Sequence, residues 1–219
     1  MKNTLLVTTA LEESWEKNVP ILFLGEWCKK YSRKSHWNNL NFKTQKYHWN
    51  DRNKLKNDYS YSKKIYQKII QEISSDLNNY HQIFHSLRYW KIIIGPWLLS
   101  FVQTILERYE NLQELENLEK KFETIIIKID KDIVLPQNFE TYSRLMLTDT
   151  WNHFIYSKII KGIVIEKKIL IREKDFKDEE NYQEYLREKH FSKKRKIYSN
   201  LLNLFRKKIN NEKFLISET

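Results

Sequence analysis

The 219-residue chain contains only three glycines (Gly25, Gly95, Gly162) and three prolines (Pro20, Pro96, Pro136). A β-sandwich or barrel reverses direction about every 8–12 residues and uses such residues at its turns. So few of them exclude that class and favour long helices joined by polar loops. Against this background three short apolar runs stand out: Thr4 to Thr9 (TLLVTT), Ile21 to Leu24 (ILFL, between Pro20 and Gly25) and Glu123 to Ile129 (ETIIIKI). Runs of this length and composition read as strands buried on both faces. With helical segments between them, the expected class is α/β, with an open, mainly parallel sheet flanked by helices.

The helical segments follow from period. Tyr61, Ile65, Ile69, Ile73 and Leu77 recur every four residues within Tyr59 to Tyr80, flanked by Tyr66, Ile70 and Tyr80, which predicts an amphipathic helix capped by Asp58 or Ser60. A second helical region starts near Ser86 and runs towards Lys121, with Pro96 kinking it or opening a new helix. Asp149 to Lys161 reads as a helix capped by Asp149 or Thr150, and Ile163 to Ile171 suits strand or helix. Lys29 to Asn57 has no clean period and reads as a long, basic, aromatic loop. The expected organisation is an α/β domain over residues 1–172 and a charged helical extension over 173–219. In the extension, His190 to Asn210 forms a basic helix with Ile197, Leu201, Leu204 and Phe205 on one side.

Hydrophobic residues at 41% and aromatics at 14% exclude a disordered chain. The formal net charge of +11 admits nucleic acid, anionic lipid or phosphorylated ligands as partners. A Lys-, Asn- and Ile-rich composition would produce the same charge with no function attached. Cys28 is the only cysteine, which fits a reducing compartment. Residues 1–10 lack a signal-peptide pattern. The longest apolar stretch, Ile92 to Val102, is interrupted by Gly95, Pro96 and Ser100 and falls short of the roughly 20 residues that span a bilayer. The expected location is the cytoplasm, with the inner face of the membrane as a docking surface for the basic helix.

Several constellations carry possible chemistry. Glu26, directly after the second strand, would sit where ligands of open sheets bind. It suits an acid, a base or a hydroxyl acceptor, and Trp27 suits stacking on a sugar. A turn and a packed tryptophan are the plain alternatives; Cys28 reads as a nucleophile only if a base or positive field lowers its pKa, and otherwise as a buried inert thiol. Ser86 is an N-cap candidate, and Arg88 in the first turn opposes the helix dipole unless an anion is near. His85 would act there as base or phosphate donor. His48, Asp51 and Arg52, in the run Tyr47-His48-Trp49-Asn50-Asp51-Arg52, mix aromatic faces with polar groups that suit carbohydrate, or a packed loop. Trp151 and Asn152, beside Thr150 and His153, would line the same cleft, or serve as cap and core. The run Gly95-Pro96-Trp97 reads as a close approach or a kinked core helix. The histidines show no metal spacing, so no metal site is expected.

Four motifs in order, TTALEESW, ILFLGEWCKKYSRK, YHWNDRNKL and HSLRYWKIIIGPWL, resemble a family of transferases from bacterial O-antigen and surface-carbohydrate gene clusters. The resemblance runs from Thr8 to Trp97 and more weakly to Gly162. It implies a glycosyltransferase-like amino-terminal half that binds a saccharide or lipid-linked acceptor. Members of that family are longer, so the resemblance implies that the carboxyl-terminal half, which would bind a nucleotide-sugar donor, is missing from this chain or supplied by a second polypeptide, and no cofactor is expected on this chain itself. On that reading Glu26 and His85 are the catalytic candidates. Trp27, Ser86, Arg88, His48, Asp51, Arg52, Trp151 and Asn152 are the substrate-binding candidates. The rival readings are a nucleic-acid-binding protein, from the acid-free basic run Lys189 to Lys208, and a peripheral membrane protein without catalysis.

Overall fold

The computed structural model describes residues 3–118, 121–162 and 169–176. Five strands form one sheet: β1 (Thr4–Val7), β2 (Ile21–Phe23), β3 (Phe42–Thr44), β4 (Phe122–Lys128) and β5 (Ile169–Asp175). Their order is β3-β2-β1-β4-β5, and every pairing is parallel. The three apolar runs of the sequence are thus neighbouring strands of one sheet. In β1, Leu5, Leu6 and Val7 are each 1% exposed. Successive side chains of a strand point to opposite faces, so this burial shows the sheet covered on both. Leu6 and Leu22 pack with Leu112, Tyr156 and Ile160 in one cluster.

Seven helices flank the sheet among the described residues: α1 (Lys34–Trp37), α2 (Arg52–His81), α3 (Leu87–Ile93), α4 (Gly95–Gln113), α5 (Lys131–Val134), α6 (Phe139–Leu145) and α7 (Asp149–Gly162). The stretch read as a loop, Lys29 to Asn57, instead holds α1, β3 and the start of α2. Its strand β3 is an edge strand of three residues with Lys43 exposed, too short to leave a period. The cap of α2 is neither Asp58 nor Ser60 but Asp51, whose Oδ1 accepts from the N–H groups of Asn53 and Lys54 at 2.8 and 3.3 Å.

Between β3 and β4 the chain makes a helical arm. Helix α2 leaves the sheet for 30 residues, ends at Gln82 in the left-handed region (φ 53°), and α3 and α4 return. Helices α3 and α4 are bent by 70° at Ile94, and Pro96 sits in the first turn of α4, where a missing N–H costs nothing. A Cβ on Gly95 would lie 2.9 Å from the Tyr66 hydroxyl, so glycine there permits the close approach of α4 to α2. Ile70, Leu98 and Val102 are the buried centre of the arm, with Ile65, Ile69 and Ile73 packed around them.

A compact unit ends at Asp175. The expected basic helix, with Lys193, Lys194, Arg195 and Lys196, lies outside the described residues, as do 163–168 of the segment left as strand or helix. From 169 that segment is β5. The arm's centre makes a prediction. Ile70→Ala should lower stability by about 2–5 kcal/mol through the cavity it leaves. Tyr61→Ala, on the same sequence stripe but 55% exposed, should cost under about 0.5 kcal/mol. Equal shifts of the two urea midpoints would show that the arm is not packed in this way.

Candidate functional site

The exit from β1 organises one end of the sheet. β1 pairs with β4 only through Thr4, Leu5 and Leu6, while β4 runs on to Lys128. The peptide groups past that point have lost a partner strand and need others. The Val7 carbonyl accepts from the Leu24 N–H at 2.9 Å and from the Cys28 thiol at 3.5 Å. Thr8 O accepts from the Trp27 indole at 2.9 Å, and Thr9 O from that of Trp15 at 3.3 Å. The Ala10 N–H donates to Asp149 Oδ1 at 3.2 Å. On the β4 side, the Ile127 N–H donates to His153 Nε2 at 2.9 Å. The ring proton of this neutral histidine is therefore on Nδ1, which faces Thr9 Oγ1 at 3.5 Å.

A cavity of about 770 Å³ opens beyond the carboxyl ends of β1, β2 and β3, where open α/β sheets hold ligands. Thr9 reaches it from β1, Glu26, Trp27 and Lys30 from beyond β2, and Gln45, Lys46 and Tyr47 from beyond β3. Helix α4 adds Glu107 and Arg108, and α7 adds Asp149, Asn152 and Tyr156. Gly25 is required by this wall: a Cβ there would sit 2.1 Å from the Trp27 ring. Trp27 meets Tyr47 edge to face at 6.0 Å. A neighbouring cavity of about 420 Å³ lies between α2 and α4 and shares Tyr47, Glu107, Arg108 and Met146 with the first.

Most charges in the larger cavity are paired. Lys30 is bonded to Asp149, Glu26 to Lys29 at 3.0 Å, and Arg108 to Glu107. Asn152 Oδ1 also accepts from Arg108 Nε and Nη2 at 3.0 and 2.9 Å. These contacts use three of the five guanidinium N–H groups. Burial raises the pKa of the Tyr156 phenol strongly, and that of Tyr47 against the opposing charge of Arg108, so both remain protonated donors. Gln45 donates through Nε2 to Asn111 O at 3.2 Å, while its buried Oε1 has no partner. The cavity thus offers a paired, near-neutral field with amide, phenol and guanidinium donors and two aromatic edges.

A model of the LIC12162 family transferases matches residues 4–219. The chain belongs to the LIC12162 transferase family. No curated protein and no solved structure gives a match.

In this LIC12162 family transferase the sequence candidates fall into separate places. Glu26, Trp27 and Asn152 line the cavity. Trp151 does not: it is buried against Tyr142, edge to face at 6.0 Å. Asp51 is used in capping α2, and Arg52 is exposed in the first turn of that helix. His85, Ser86 and Arg88 lie at the far end of the arm. His85 is tied to Asn78 through its N–H at 3.1 Å, and Asn78 is separated from Asp51 by most of α2, roughly 40 Å at 1.5 Å per residue. The expectation that Glu26, His85 and Arg88 meet at one edge of the sheet is therefore corrected. Each does open a helix or follow a strand, but the arm carries one group away from the other. Ser86 is the N-cap of α3, accepting from the Tyr89 N–H at 3.3 Å. Burial pushes the Cys28 thiol up to about 12, so it is no nucleophile at neutral pH.

Sequence reasoning missed Arg108 and Glu107. The signal was the buried polar series Thr104, Glu107 and Asn111, spaced three and four apart along an otherwise apolar helix. His48 is buried, and neither ring nitrogen has a hydrogen-bond partner. Asp58 lies 3.9 Å from its Nδ1.

Burial pulls the pKa of both His48 and His153 down from 6.5 to about 4, with Lys54 adding to the effect at His48 and Asp58 opposing it. Between pH 6.5 and 4 the unfolded chain therefore binds more protons than the native one at these two sites. Stability contributed by the neutral rings is present above pH 6.5 and is lost as pH falls through that window. Replacing both, as His48→Phe with His153→Gln, should flatten the fall of the urea midpoint between pH 7 and 5. His48→Phe alone should cost little at pH 8, because no hydrogen bond is removed. An unchanged pH slope in the double variant would assign the acid sensitivity to other groups.

Proposed function

We propose that the larger cavity binds the saccharide acceptor of a glycosyl transfer in bacterial surface-polysaccharide synthesis. The observation that carries this reading is the pairing of charge inside the cavity: Lys30 with Asp149, and Arg108 with Glu107. A diphosphate needs unspent positive charge inside its site, and here the cation outside these pairs, Lys46, is exposed to solvent at the rim. A neutral polyhydroxylated ligand needs fixed donors and acceptors beside aromatic faces, and Arg108, Asn152, Gln45, Trp27 and Tyr47 supply them. Membership of a transferase family supplies the reaction class.

In such a transfer an acceptor hydroxyl oxygen bonds to the anomeric carbon of a nucleotide-activated sugar. The bond from that carbon to the diphosphate breaks, and the hydroxyl proton passes to a base. Glu26, whose side chain is 80% exposed at the cavity mouth, is the carboxylate placed to receive it. The nucleotide part of the donor would be held outside this cavity. His85 and Arg88, at the far end of the arm, have no part in this step.

Binding of oligosaccharide fragments of surface polysaccharide, followed by saturation-transfer NMR and calorimetry, tests the reading. Arg108→Ala and Gln45→Leu should each weaken binding about tenfold, the loss of one or two hydrogen bonds. Gln45→Leu should change stability by no more than about 1 kcal/mol, since it removes an unpaired buried acceptor together with the one bond to Asn111 O. If nucleoside diphosphates bind and saccharides do not, the cavity is a donor site and the proposal fails.

A further inference from the structure

The end of the helical arm exposes apolar side chains that nothing in the cavity's chemistry uses. Phe84 is 100% exposed, Tyr80 82%, Ile92 67% and Ile93 57%. They sit on the end of α2, the turn after it and α3. This exposure does not come from a loose loop. Asn78 ties the turn from both sides: its Oδ1 accepts from the His85 N–H at 3.1 Å and from the Trp90 indole at 2.9 Å. Its Nδ2 donates to His85 O at 2.9 Å. Ser86 caps α3, and the His85 ring stacks on Tyr89 at 3.9 Å. The turn is built to hold Phe84 outward.

Charge at this end leans positive, although Asp76 is exposed on α2 one turn before Tyr80. From Leu77 to Leu106 there is no aspartate or glutamate, although the chain holds 28. Arg88 is exposed and Lys91 half-buried within the same stretch. A groove for a peptide is concave, and a protein partner of a basic apolar patch is commonly matched by acids on its rim. Exposed Phe, Tyr and Ile side chains with cations in the same stretch instead suit a fluid surface. Such a surface admits apolar side chains to the acyl boundary and presents phosphate to the cations. No single helix among the described residues is long and apolar enough to cross a membrane, although α3 and α4 reach that length and apolarity together as a bent pair.

We infer that the arm end is an anchor for an anionic phospholipid bilayer. Phe84, Tyr80, Ile92 and Ile93 enter the headgroup layer, and Arg88 and Lys91 meet lipid phosphates. The inference stands apart from the reading of the cavity and holds whatever ligand the cavity takes.

The full chain is tested by co-sedimentation with vesicles of phosphatidylcholine and of phosphatidylcholine with 30% phosphatidylglycerol, about a third anionic lipid as in acidic membrane surfaces. Binding should favour the anionic vesicles and weaken with salt. The variant Phe84→Ser/Ile92→Ser/Ile93→Ser should lose at least about tenfold in the partition coefficient, with an unchanged thermal midpoint because all three side chains are exposed. Because Cys28 is buried, Phe84→Cys offers a selectively reactive thiol for an environment-sensitive fluorophore. Its emission should shift to the blue on adding anionic vesicles, while a label at exposed Lys63→Cys should not respond. Three outcomes overturn the inference: no vesicle binding by the full chain; binding that survives the triple variant and is lost instead when Lys193, Lys194, Arg195 and Lys196 are neutralised; or a lipid-free dimer that the triple variant converts to monomer, which would make the patch an interface between copies.

Discussion

The central strand stops before its neighbour does, and much of the molecule answers that mismatch. Once β1 ends at Val7, peptide groups of β4 and of the chain leaving β1 have no ladder to join. Buried backbone groups left unpaired cost about 1–3 kcal/mol each, so each must be met by a side chain or another segment. Trp27, Trp15, His153 and Asp149 meet them. Two of the four, Trp27 and Asp149, also wall the cavity. Closing the sheet's hydrogen bonds and shaping the ligand space are therefore one set of contacts, and neither can be altered without disturbing the other.

The same arrangement explains which histidine is inert. His153 sits at the junction of β1 and β4, where the strand order changes direction, a place at which a catalytic group would attract notice. Its Nε2 is occupied by a backbone N–H and its ring is sealed from solvent, so it serves as a structural acceptor. The Cys28 thiol is likewise consumed by the β1 exit. Reactivity in this end of the sheet is left to the rim, where Glu26, Lys46 and Asn50 meet solvent.

What the sequence made legible follows burial. Leu5 to Val7, Ile21 to Phe23 and Ile125 to Ile127 are buried along their whole length, so each wrote an unbroken apolar run that could be read as a strand. Phe42 to Thr44 is an edge strand with one exposed lysine, and it wrote nothing distinctive. The stripe of α2 was legible because Ile65, Ile69, Ile70 and Ile73 pack on α4. Its continuation at Tyr80 is exposed because the arm outruns the helix that covers it, while Tyr61 belongs to the stripe by period yet is 55% exposed. Glu26 and Trp27 were found because they follow a strand directly. Arg108 was not, because its role depends on α4 packing against α7, where Asn152 meets its guanidinium, a contact between residues distant in sequence. His85 and Arg88 were placed by local helix-start chemistry, which says nothing about which end of a long helix faces the sheet.

The length of α2 has a thermodynamic meaning. Its two ends share no side-chain partners, and energetic coupling between substitutions fades beyond about 7–10 Å when no partner is shared. Changes at the arm end and changes at the cavity should therefore combine additively, each blind to the other. Selection can retune the surface that the arm presents without retuning the ligand space at its base.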